Sequence, residues 1–165
     1  ISFSDAPKVA VTENGDILGS YDDVYKAIHT WGLNAPRKNS SVIGFESHHT
    51  LGNDLMEKFG FAEGEIPSVA LDWDEHMNLV EWNDDDSRLG LRAQFNNTVN
   101  NDIWDVLDTY VQHYEDIGRP EWAEIARNYV IQNEARIIDA YETGLVSWAT
   151  PALAKHAREY INSLK

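Results

Sequence analysis

The chain has 165 residues, with 13 Lys+Arg against 28 Asp+Glu for a formal net charge of −15, and no cysteine. This length supports one domain with its own core; the lack of cysteine excludes disulfides, a thiolate zinc cluster and a cysteine nucleophile, and no run is long and apolar enough for a membrane span. The acidic balance argues against a broad basic face that grips nucleic acid, and fits either a local basic cleft in an acidic body or a partner with a basic surface.

Residues 8–13 and 16–18 are strand-like runs flanking Asn14-Gly15, a dipeptide suited to a two-residue hairpin turn in which both central residues take positive φ. Ser20 with Asp23 makes a capping-box-like start, and Tyr21, Val24, Ile28 and Trp31 recur at helical spacing, which predicts a helix stopped by Gly32. Residues 33–41 read as a loop in which Arg37 and Lys38 are adjacent cations and candidate phosphate contacts. The apolar run Val42-Ile43-Gly44-Phe45 reads as a short strand that delivers Glu46-Ser47-His48-His49.

Leu51, Leu55, Met56 and Phe59 mark one face of a helix closed by Gly60, and Val69-Ala70-Leu71 reads as a second core strand. Asp72 and Glu75 start a helix around Trp73 that carries His76 in its first turns. Residues 72–86 hold seven acids and no Lys or Arg; without the alternating Asp, central Gly and closing Glu of an EF-hand, the segment reads as a solvated acidic loop. The remainder is helical in pattern: 102–116 before Gly118, a second helix from Pro120 to Tyr141 ending near Gly144, and a last one from Pro151. The six tryptophans and seven tyrosines read as core and interface material rather than base-stacking platforms.

His29, His113 and His156 stand singly on helix faces and read as structural or solvent-facing. His48 and His49 differ, because successive side chains of an extended strand point to opposite sides. One imidazole can then hold a metal ion while its neighbour takes a proton from water. His76 follows His48 by 76 − 48 = 28 residues, a separation that a turn and a helix can fold back to supply a second ligand. The plainer reading has the pair ending a strand and bonding nearby backbone.

Phe45-Glu46-Ser47-His48-His49, residues 55–61 (Leu-Met-Glu-Lys-Phe-Gly-Phe), residues 66–71 and His76 together resemble the HNH/endonuclease VII superfamily, and within it the bacterial polymorphic-toxin members with a Ser-His-His signature. The resemblance covers about 40 of the residues. It implies a ββα-metal motif, nuclease activity with a divalent ion (Mg, Mn, Zn or Ni), a nucleic-acid substrate, a cognate immunity protein, and delivery into a target cell as the C-terminal toxin module of a longer secreted protein. Carried over by position, His48 and His76 are metal ligands and His49 is the general base. Many members carry a further histidine four residues after the helical one; that position is Val80 here, with Glu46, Asn78 and Glu81 as accessory candidates.

The expected fold is therefore α+β and mostly helical: an N-terminal β-hairpin, a ββα-metal-like core at about 41–82 and a C-terminal helical bundle, in a single domain spanning 1–165. The expected activity is metal-dependent phosphodiester hydrolysis. The alternative is an acidic, non-catalytic binding protein: an inhibitor, an immunity-type protein or a nucleic-acid mimic.

Overall fold

A computed structural model describes residues 6–34, 44–72 and 101–165. The fold is α+β. Its described strands are β1 (Ala10–Val11), β2 (Ile17–Ser20), β3 (Phe45–His49) and β4 (Pro67–Asp72), and its helices are α1 (Tyr21–Thr30), α2 (Asn53–Glu57), α3 (Ile103–Asp116), α4 (Pro120–Gln132), α5 (Glu134–Glu142) and α6 (Pro151–Leu164). The strands form one antiparallel sheet in the order β1-β2-β4-β3. β4 is central, and Pro67, which lacks an N–H, sits at its first residue, where the missing donor costs least.

The hairpin forms, but not with a two-residue turn. Val11 pairs with Ile17, so the loop has Glu13-Asn14-Gly15 at its tip; Gly15 N–H donates to the Thr12 carbonyl at 2.9 Å, and Gly15 takes φ +85°. That is a turn followed by a bulged left-handed residue, and the Thr12 side chain secures it by accepting from Asp16 N–H at 3.1 Å.

α1 starts where its cap predicts. Ser20 Oγ accepts from Asp23 N–H at 3.1 Å and donates to the Asp23 carboxylate at 2.9 Å. It ends with Leu33 N–H on the Ile28 carbonyl and Gly32 N–H on the His29 carbonyl, with Gly32 at φ +67°. Trp31 lies beyond the last helical residue, where the 3.6 spacing no longer applies, and is 47% exposed; Ala27 joins Val24 and Ile28 in the buried stripe instead.

The sheet has two covered faces. Ile17 and Ala70 pack with Val24, Ala27 and Ile28 of α1, while Leu18, Val69 and Leu71 join the larger core built with α2 to α6. Within the helical layer α3 packs on α4 and α5 on α6, with α4 also against β4. The predicted helix from Pro120 to Tyr141 is in fact two. Asn133 breaks it: its side-chain amide donates to the Tyr129 carbonyl at 2.9 Å, beside its own N–H on that carbonyl, and its backbone leaves the helical region at φ −107°, ψ 22°. Among the described residues no helix is long and apolar enough to cross a membrane.

Candidate active site

β3 ends on the histidine pair, as the sequence pattern led one to expect. His48 lies opposite Val69 and His49 opposite Ser68. Directly paired residues of an antiparallel sheet share a face, so His48 points with Leu18 and Val69 toward the large core, and His49 points with Ser47 toward α1. The alternation expected from the sequence therefore holds. His48 is 7% exposed.

His49 is half-buried and held from two directions. Its ring stacks on Tyr21, with centroids 4.4 Å apart and planes 11° from parallel. Its Nε2 lies 3.2 Å from the Glu63 carbonyl oxygen. A carbonyl can only accept, so Nε2 carries the proton, and Nδ1 holds the lone pair when the ring is neutral. Burial pushes the imidazole below its ordinary value; the bond to the Glu63 carbonyl and the Glu63 and Asp54 carboxylates pull it up, while His48 adds to the lowering.

Tyr21 is held through its backbone. Its N–H donates to the Ile66 carbonyl at 2.9 Å, and its carbonyl accepts from Ser47 Oγ at 3.1 Å, which ties the first residue of α1 to β3 two positions before His49. Burial raises the Tyr21 hydroxyl above its ordinary value, and Glu63, Tyr25 and Asp22 raise it further. A 3-10 turn, Glu63–Glu65, brings the Glu63 carbonyl to this place.

Glu46 shares the His48 face of β3, two residues away. Arg37, Lys38, His76, Asn78, Val80 and Glu81 lie outside the described residues, as do residues 73–86 of the acid-rich segment. Among the described residues no three His, Asp or Glu side chains come together to hold a metal ion; two of the three histidines implied as ligands or base are described, and they face opposite ways. His29 and His156 are exposed and lie against Tyr25 and Trp104 respectively, the structural setting expected of single histidines.

In the sequence Tyr21 is marked only as part of a helical stripe, and Glu63 carries no mark. Nothing local announces a backbone carbonyl as a ring partner; the only available signal was that Ser47 and His49 share a strand face, which some element had to cover. No family model, curated protein or solved structure matches the chain.

Proposed function

We propose that the chain is a metal-dependent nuclease of the HNH/endonuclease VII kind, with His49 as general base. The observation that carries this reading is the bond from His49 Nε2–H to the Glu63 carbonyl, which reserves Nδ1 for accepting a proton. In the proposed step Nδ1 takes a proton from water, the water oxygen bonds to phosphorus, and the bond from phosphorus to the leaving sugar oxygen breaks.

His48 and His76 would hold a divalent ion, with Glu46, Asn78 and Glu81 as accessory donors and Arg37 and Lys38 as phosphate contacts. When bound, Mg, Mn, Zn or Ni polarises the phosphodiester and stabilises the leaving oxygen. Covalent reach permits the pairing: Asp72 is level with Phe45, so His48 stands three residues, roughly 10 Å, along β3, and the four residues to His76 span up to about 14 Å. As a toxin module the chain would be delivered to a target cell and would have a cognate immunity protein.

Plasmid DNA and RNA are to be incubated with the protein with and without each metal. Cleavage that requires metal and falls by about 100-fold or more in His49→Ala supports the reading. No cleavage of either polymer under any metal, or equal cleavage by His49→Ala, overturns it.

One observation favours a second reading, the acidic binding protein: His48 is 7% exposed on the core-facing side of the sheet, as a structural histidine would be. Together with the charge of −15, it predicts no metal uptake and a tight complex with a basic partner, which calorimetry with metal and pull-down on a basic protein would separate from the nuclease.

A further inference from the structure

We infer that Tyr21 is a positioning residue for His49, its ring fixing the imidazole plane so that Nε2–H meets the Glu63 carbonyl and Nδ1 remains the basic nitrogen. The catalytic consequence rests on the nuclease reading; the geometric claim does not.

A neutral histidine on a strand has two tautomers and a ring that turns about its last side-chain bond. A single hydrogen bond to a carbonyl at 3.2 Å selects a tautomer only while the ring stays in the plane that aims Nε2 at that oxygen. The near-parallel stack at 4.4 Å and 11° supplies the second constraint. One contact lies on the ring face and the other on its edge, so together they remove the rotation that either alone would leave.

The stack is useful for this only if Tyr21 is itself immobile, and the backbone makes it so. Its N–H and carbonyl are bonded to Ile66 and Ser47, just before β4 and within β3, and its backbone follows the Ser20 cap. The covering of the sheet by α1 does not need this ring. Val24, Ala27 and Ile28 supply the buried stripe, whereas Tyr21 is partly exposed. An aliphatic residue would cover the same sheet edge but would offer no flat surface parallel to the imidazole. Among the described residues, the titratable neighbours of the pair are His48 and Asp54 near His49, Tyr25 and Asp22 near Tyr21, and Glu63 near both.

Imidazole nitrogen and proton NMR on the metal-free protein reads the geometry directly, with His49→Gln used to assign the signals. The expected spectrum has the proton on Nε2 of His49 and its ring protons shifted upfield by the Tyr21 ring. Tyr21→Phe keeps the face and should keep both features, with cleavage within about twofold of wild type; Tyr21→Leu should lose the upfield shift, average the tautomers and lower kcat about tenfold with KM unchanged, a part of the general-base contribution. A wild-type spectrum with the proton on Nδ1, or without the upfield shift, overturns the inference, as does a folded Tyr21→Leu with unchanged His49 signals. If Tyr21→Leu does not fold, the wild-type and Tyr21→Phe spectra decide. Expected spectra from a wild-type protein that cuts nothing would sink the nuclease reading and leave the positioning role standing.

Discussion

The hydroxyl of Tyr114 donates to the carbonyl of Thr50 at 2.7 Å, joining the last turn of α3 to the residue that follows His49. Both residues are fully buried, and Thr50 also donates its own N–H and hydroxyl to the Pro67 carbonyl at 2.8 and 3.0 Å. The end of β3 is thus held by the C-terminal half of the chain as well as by its sheet partner.

Tyr114→Phe removes that donor while keeping the ring that packs edge-on against Trp122. The buried carbonyl loses a partner, and stability should fall by about 1 to 2 kcal/mol. Urea unfolding followed by circular dichroism measures it; an unchanged midpoint would show that the bond contributes nothing.

Asp102 is 8% exposed and accepts from Tyr141 Oη at 2.8 Å and Trp148 Nε1 at 2.9 Å, while Tyr141 accepts from Ile103 N–H at 3.1 Å. Burial first, and then the Asp102 carboxylate, push the Tyr141 hydroxyl far above its ordinary value, so it stays a donor. Asp102→Ala leaves the buried Tyr141 hydroxyl and the half-buried Trp148 N–H without this acceptor and should cost about 2 to 3 kcal/mol, whereas Asp102→Asn keeps one acceptor oxygen and should cost about 1. Thermal unfolding compares the two; equal losses would mean the acceptor is not what matters.

Glu65 accepts from Tyr129 Oη at 3.2 Å and pairs with Arg136, whose guanidinium lies 4.2 Å from the Phe61 ring centre. Burial raises the Glu65 carboxyl, but Arg136 and Tyr129 outweigh it and the net direction is down from 4.5. A lowered carboxyl stabilises the fold above the unfolded value and loses that contribution as pH falls through the folded one. Arg136→Ala should therefore flatten the pH dependence of stability below about 4.5; because the pair is 49% and 37% exposed, the cost at neutral pH is only about 0.5 to 1 kcal/mol. Unfolding midpoints between pH 3 and 7, at roughly low and high salt, check both halves.

His49 gives a second pH signature, at a different range. Its folded value lies below 6.5, so the unfolded chain takes the proton more readily. The stabilisation is complete above 6.5 and is lost as pH falls through the folded value. His49→Gln keeps a donor for the Glu63 carbonyl and removes the titration, so its stability should vary less with pH just below 6.5 than that of the wild type. Parallel profiles for the two proteins would refute this.

Local sequence determined those features that depend on a few neighbouring residues. Ser20 and Thr150 each accept an N–H three residues on, and Gly32, Gly60, Gly118 and Gly144 end helices at positive φ, because caps and left-handed turns are decided by short-range sterics and hydrogen bonding. The opposite facing of His48 and His49 is likewise a property of any strand. Tertiary structure alone decided that β4 would pair between β2 and β3, that Tyr21 would lie on a ring 28 residues away (49 − 21 = 28), and that Trp122 Nε1 would donate to Asp16 Oδ2 across 106 positions. Asn133 lies between the two cases: its side chain can continue a helix or compete with it, and here it takes the Tyr129 carbonyl where α4 gives way to α5. Pairings of this kind follow from how the apolar faces of the whole chain are buried together, a sum over distant residues that no local pattern contains.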